Sequence, residues 1–316
     1  MKYTNKLYKS YTLNHKWAKY VQELEEGKLL TFTFKTKGEQ FYFNYIKRDI
    51  SYELDFLEKD KYFDIITPFD YGGFYFTSDE ILEKGLVEFE KLLIKENIVS
   101  GFFRFASLLN MNYKIIAKYI NLLKIQDHIL IDLRSDYKKE FSKRKNRNIK
   151  NAKKLAFKFI EKDSLDNFYS VYIDSMNRVN SNKYFKFNIS ILSDLLSFGQ
   201  IFSIYFENKI VSSIFIIEDE NEIYYFLGGT LKSYLKYGFN SLLFDLVCEY
   251  YKSSKKLFYL GGGKDGLYQF KKEFSNKVIP FYIGTKIFNK DIYDKLIIQT
   301  NRETNNFFPQ YRKKII

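Results

Sequence analysis

The sequence predicts an α/β chain of two domains, each a mixed sheet flanked by helices. Three observations carry this expectation. At 316 residues with 46% hydrophobic content, the chain is longer than one small core requires, so length favours two domains. Short apolar or alternating runs are interleaved with amphipathic stretches along both halves, as in layered α/β proteins. Glycine clusters at 72–73 and 261–263 mark sharp corners in the chain.

The first half opens with LLTFTF (29–34) and QFYFNY (40–45), two runs split by TKGE, which read as a hairpin. TPFDYGGFYF (67–76) follows as a loop in which Pro68 and Gly72-Gly73 bracket Asp70 and Tyr71. Ser78 or Asp79 then caps a helix whose Leu82, Leu86, Phe89 and Leu93 form one stripe. An apolar segment at 98–105, a helix at 113–124 and a strand at 129–133 complete the first half. Between the halves, DYKKEFSKRKNRNIKNAKK reads as a helix with nine Lys and Arg against Glu140 as its nearby acid. Such a run is either a solvated face or a set of cations converging on an anionic ligand, with Arg144 and Arg147 as phosphate-binding candidates.

The second half parses as strand 156–161, helix 165–178, helix 189–196, strands 201–206, 210–217 and 223–227, helix 240–252, strand 257–260, helix 267–274 and strand 278–287. Leu165, Phe168, Tyr172 and Met176 support the first helix, and Leu242, Leu246 and Tyr250 the third. Cys248 reads as a small apolar filler.

The organising stretch is LGGGKDGLYQFKKEF (260–274). Gly261, Gly262 and Gly263 relax the steric limits on the backbone and let another molecule approach its amides, where a bulky side chain would block it. The helix after them presents Leu267, Phe270 and Phe274 on one face, with Lys271 beside it at the rim. The alternative is a loop that only separates strand from helix.

Net charge is +13, which favours a polyanionic partner, although a composition rich in Lys, Asn, Ile, Tyr and Phe also follows from A/T-rich coding. Aromatic content of 20%, with 28 Tyr and 33 Phe, excludes disorder. With a single cysteine and two histidines far apart, His15 and His128, no internal disulfide forms and neither a His-based zinc site nor a Ser-His triad is expected. The N-terminal MKYTNKLYKSYTLNHKW has no apolar signal region and no run approaches the length of a membrane span. A cytoplasmic protein is expected, with peripheral contact to an anionic membrane face left open.

The element order of the second half resembles the GNAT acyltransferase fold, in which two central strands splay apart and the acyl donor lies in the gap. FRFASLL, RKNRNIKNAKK, FYSVYIDSMNRV, YYFLGGT, YGFNSLLFDLV and LGGGKDGLYQFKKEF, in this order, resemble the Fem-type aminoacyltransferases that build peptidoglycan cross-bridges, and their GNAT-like relatives in bacterial glycan loci. TPFDYGGFYF resembles the TP-x-x-Y-G-G loop of those relatives, and FFPQYR a frequent ending among them. The resemblance covers most of the chain. It implies an N-terminal GNAT-like domain (1–135), a second one (136–288) with the active-site corner, and a segment (289–316) returning to the first.

The resemblance also implies roles. Phe270 and Lys271 occupy the Phe-Lys pair at the family's reaction centre, with Lys271 as the catalytic residue. Arg178 resembles the phosphate or substrate ligand that closes the first long helix. Tyr184, Tyr225, Asp70 and Tyr71 fall in the same cleft by motif similarity, with core packing as the alternative for the aromatics.

Two departures stand out. No inserted helical hairpin of the kind many bridge enzymes carry is present. Where ordinary GNATs grip the pyrophosphate of coenzyme A with a Q/R-x-x-G-x-G/A loop, the sequence reads SYLKYGFNS.

The expectation is thus an acyl or aminoacyl transferase forming an amide on a cell-envelope glycan precursor, with no metal and no tightly bound cofactor. The leading version uses aminoacyl-tRNA as donor and a nucleotide-linked peptidoglycan precursor as acceptor. The alternatives are an acyl-CoA-dependent N-acyltransferase acting on an amino-sugar nucleotide in capsule or lipopolysaccharide synthesis, and a non-catalytic RNA-binding or scaffold protein. No DNA partner is expected.

Overall fold

The computed structural model describes residues 10–51, 54, 57–180, 185–302 and 307–312. Two units emerge, residues 1–125 with 280–316 and residues 126–279. The sequence reading put the boundaries at 135 and 288. Each actual boundary falls inside a strand, which a reading by whole elements passes over.

The first unit opens with α1 (His15–Val21), capped by the Asn14 side chain, which accepts from Lys16 N at 2.8 Å. β1 (Lys28–Thr36) and β2 (Glu39–Asp49) form a hairpin. Lys37 and Gly38 between them take φ of 48° and 80°, the left-handed twist that lets a two-residue loop reverse a strand. After β3 (Phe63–Ile66) and β4 (Tyr75–Phe76) comes α2 (Asp79–Lys95), whose cap is Ser78 Oγ accepting from Ile81 N at 3.3 Å. Leu82, Leu86, Phe89 and Leu93 point inward as their spacing predicts, onto Phe41, Phe43 and Phe103. Burying each such side chain stabilises by about 1.5–3 kcal/mol.

β5 (Ile98–Arg104) precedes a correction. The helix expected over 113–124 is one turn, α3 (Tyr113–Ile116), and β6 (Asn121–Asp132) has already begun by Asn121. A turn buries Ile116 and Ile120 and the chain then extends. Over so short an apolar run both periods fit the sequence, and tertiary packing chooses.

In the second unit the basic run forms α4 (Lys143–Ala152), shorter than expected because Ser142 caps it, its Oγ accepting from Lys145 N at 3.1 Å. Then follow β7 (Phe157–Glu161), α5 (Leu165–Arg178), α6 (Ile189–Leu195), β8 (Gly199–Phe206), β9 (Lys209–Glu218), β10 (Glu222–Thr230), α7 (Phe239–Tyr251), β11 (Leu257–Gly261) and α8 (Asp265–Lys272). The order is the one the sequence predicts. Alternation along β9 sends Phe215 to Phe168 of α5 on one face, while Ile214 and Ile216 join Phe244 and Val247 of α7 on the other. The sheet therefore has helices on both faces. Its strand order is β6-β11-β10-β9-β8-β7, and within it β10 and β11 are the parallel neighbours.

The chain ends with β12 (Val278–Ile287) and α9 (Lys290–Gln299). β12 pairs antiparallel with β5, giving the first unit the order β1-β2-β3-β5-β12, in which β3 and β5 are parallel. This matches the pattern β8-β9-β10-β11-β6 of the second unit. A repeat that the two half-sequences hide is thus visible in strand direction. Tyr311 and Arg312 are buried within the first unit, where Tyr311 Oη lies 2.8 Å from Ser100 Oγ.

Candidate active site

The site is built where β10 and β11 part. Their parallel register runs from Glu222 opposite Leu257 to Tyr224 opposite Tyr259. Beyond it β10 shifts register against β9 between Tyr225 and Leu227, and β11 shifts against β6 between Tyr259 and Gly261. Bulges of this kind re-aim strands and side chains. They open a gap at the carboxyl ends, with Tyr225 and the glycine corner beside it.

Each glycine of the corner has its own reason. Gly261 and Gly263 take φ of 72° and 148°, which L side chains rarely adopt. At Gly262 an added Cβ would lie 2.3 Å from Gln126 Nε2 and 2.7 Å from His128 Cδ2, so there space is the constraint. The corner then enters α8 at Asp265.

Of the three residues expected on the buried face, Phe270 and Phe274 pack into the core and Leu267 does not. Leu267 is 47% exposed whereas Lys271 is 6% exposed. The expectation of Lys271 at the rim is thereby corrected: the corner rotates α8 so that Lys271 turns inward with Phe274. Its ammonium donates to the carbonyl oxygen of Gly262 at 2.6 Å and stands 5.1 Å from the Tyr225 ring centroid. Tyr225 packs on Phe244, centroid to centroid 4.9 Å, and Phe270 on Phe244 at 5.5 Å. Burial raises the Tyr225 hydroxyl pKa, so the ring presents a neutral face to the lysine.

Behind the corner, His128 of β6 bonds through Nδ1 to the Tyr259 hydroxyl. Burial first, and the Lys271 charge second, lower its pKa to about 3, so the imidazole is neutral at physiological pH. Sequence reasoning assigns His128 no role, since its partner lies 131 residues away.

The other candidates are placed as follows. Arg178 ends α5 and donates from Nη1 to Thr230 O at 2.7 Å, pinning the helix to the far end of β10. That is roughly 16 Å along the strand from Tyr225 at about 3.3 Å per residue. Tyr184 lies outside the described residues. Asp70 and Tyr71 belong to the first unit: Asp70 takes φ of 73° and accepts from Tyr11 Oη at 2.7 Å, and the Tyr71 ring meets Phe281 edge-on at 5.5 Å.

Along the basic run, Arg144 Nε faces Glu273 Oε1 at 2.6 Å, and Lys138 and Lys153 reach Glu249 and Asp245, both at 2.6 Å. With Lys145, which faces Glu273 as well, four of the nine cations of this run are engaged with acids far off in sequence. Lys143, Arg147 and Lys150 remain exposed, at spacings of four and three along one stripe.

Lys145 was not singled out by sequence reasoning. It is 2% exposed, with its ammonium 3.4 Å from the Phe270 ring centroid, 4.6 Å from that of Phe274 and 3.3 Å from Glu273 Oε2. Its signal was lost in a run of like charges. Among the described residues no group of three or more His, Cys, Asp or Glu is fit to hold a metal, and no helix is long and apolar enough to cross a membrane.

Residues 138–272, which contain this corner, match the family model described as an acetyltransferase (GNAT) domain. These residues form a GNAT acyltransferase domain. The chain is accordingly an acyltransferase, and its GNAT domain holds the splayed strands, the glycine corner and Lys271. Solved structures share the fold over nearly the whole chain. FemX aligns over 93% of this chain and 98% of its own at 10% identity, with a TM-score of 0.68. L-PGS from Bacillus licheniformis aligns over 89% and 90% at 13% identity with a TM-score of 0.60. A tandem GNAT protein from the clavulanic acid biosynthesis pathway aligns over 86% and 88% at 9% identity with a TM-score of 0.50. At these identities the likeness is one of fold. No curated protein matches the sequence.

Proposed function

We propose that this GNAT domain transfers an aminoacyl group from aminoacyl-tRNA to an amine of a nucleotide-linked peptidoglycan precursor, without a metal or a tightly bound cofactor. The observation that carries the catalytic part is the Lys271 ammonium, buried at the parting of β10 and β11 and held on the Gly262 carbonyl at 2.6 Å. The acceptor's amine attacks the ester carbonyl, forming the C–N bond. As the C–O bond to the ribose breaks, the departing oxygen takes up the proton that the amine sheds. Between these events the carbonyl oxygen carries negative charge, and a fixed cation nearby stabilises it without reorganising. Arg178, Tyr225, Phe270 and the three glycines line the path of the donor, and Arg147 with Lys143 and Lys150 offers its phosphates a cationic stripe.

The choice of donor turns on the corner that ordinary GNATs use for pyrophosphate. Residues Lys232–Tyr237 form a 3-10 turn, and the following Gly238 is packed so that a Cβ would lie 3.1 Å from Asn148 O. At the start of α7, Ser241 N donates to the Asn240 side chain at 2.8 Å. That amide already has its partner, which weighs against a pyrophosphate cradle here. The membership of the GNAT family itself favours a second reading, an acyl-CoA donor acting on an amino-sugar nucleotide.

The test is product formation. The purified chain is incubated with a mixed aminoacyl-tRNA pool and a nucleotide-linked peptidoglycan precursor, or with acetyl-CoA and an amino-sugar nucleotide, and new amides are read by mass spectrometry. An amide in the first mixture supports the leading reading, one in the second alone supports the other, and none in either refutes both.

A further inference from the structure

We propose that Lys145 is a positioning residue, which holds α8 in place so that Lys271 is aimed into the gap between β10 and β11. This rests on the assignment of Lys271 above. The first turn of α4 and the last turn of α8 meet at Glu273, two residues after Lys271. Ser142 N donates to Glu273 O at 2.8 Å, Arg144 Nε pairs with one carboxylate oxygen at 2.6 Å, and Lys145 Nζ faces the other at 3.3 Å. The carboxylate thus also sits at the positive end of the α4 dipole.

Lys145 adds what the exposed Arg144 does not. Its ammonium lies over the Phe270 ring at 3.4 Å and near the Phe274 ring at 4.6 Å, so a desolvated cation clamps the residues on either side of Lys271. From α7 the Ser241 hydroxyl approaches at 3.4 Å. The titratable and charged groups facing it are Glu273 and Arg144. Burial, only partly offset by Glu273, lowers the Lys145 pKa to about 8, so raising the pH through 8 removes the charge of the clamp.

The experiment compares Lys145→Met, Lys145→Arg and Lys271→Met in the amide assay, with the donor and acceptor pair that gives product, from pH 6.5 to 9.5. Lys145→Met is expected to lower kcat about 10- to 100-fold, the range for a small misplacement of a catalytic group, with KM changing far less. The descending alkaline limb of the wild type should vanish in this variant. Lys145→Arg keeps a cation throughout, so it should retain turnover and carry the limb upward; it also serves if the Met variant does not fold. Wild-type kcat and an unmoved alkaline limb in both Lys145 variants, with Lys271→Met inactive, would overturn this proposal alone. Turnover retained in Lys271→Met would overturn the assignment beneath it as well.

Discussion

Lys271 and Gly262 are joined through one hydrogen bond of 2.6 Å between a side-chain ammonium and a backbone carbonyl nine residues earlier. The bond sets the cation's position before any substrate arrives. A buried ammonium left without such an acceptor is costly, so the corner and the lysine are interdependent.

Lys271→Met is expected to fold and to lose turnover by about a hundred- to a thousandfold, or about 3–4 kcal/mol, the usual cost of one preorganised donor to a developing oxyanion. The methionine keeps most of the apolar stem over Tyr225. Steady-state kinetics check it: kcat should fall while KM changes little.

The corner's glycines should respond unequally. Gly263→Ala forces a φ of 148° on a residue with a Cβ, and should cost about 1–3 kcal/mol and most of the activity. Gly266→Ala, where a Cβ meets nothing within 4 Å, should stabilise α8 by up to about 1 kcal/mol. Urea midpoints of the two variants should move in opposite directions.

In the first unit Asp64 is fully buried between Arg48, Nε at 2.8 Å, and Arg312, Nε at 2.5 Å and Nη2 at 3.1 Å. Burial alone would raise its pKa, but the two guanidinium groups outweigh it and the carboxyl titrates below its ordinary value. The folded state thus holds its proton less tightly than the unfolded one. The resulting stabilisation is present above the unfolded carboxylate range and is lost as pH falls through the folded value. Arg312→Ala breaks a buried pair and should cost about 3–5 kcal/mol, measured by chemical denaturation at pH 7.

Lys145 gives a slope of the same sign in a higher pH range. Its folded pKa, about 8, lies below the ordinary lysine value near 10.5, so the unfolded state binds more protons between these limits. Wild-type stability relative to Lys145→Met should rise across that interval, just where the activity is expected to fall. Denaturation midpoints taken at several pH values read it directly.

Reversing Arg147 and Lys150 to Glu tests the exposed stripe without touching the Glu273 contacts. Affinity for the aminoacyl-tRNA pool should fall, and the slope of log affinity against log salt should shrink by about one to two, since fewer counterions are released. Unchanged affinity and slope would leave the stripe a solvated surface.

What the sequence determined by itself is the set of elements whose signals are local. The Ser78 cap with the Leu82–Leu93 stripe, the hairpin around Lys37-Gly38, and the succession from Phe157 to Lys272 all follow from side chains a few residues apart. The glycine corner was legible for the same reason. The tertiary structure decided what depends on partners distant in the chain. It turned Lys271 inward and Leu267 outward, ended α3 after a single turn, and drew Arg144 and Lys145 to Glu273, 129 and 128 residues ahead of them. A run of cations reads alike whether it faces water or a buried carboxylate. The choice is made by burial and charge pairing, which are properties of the packed chain.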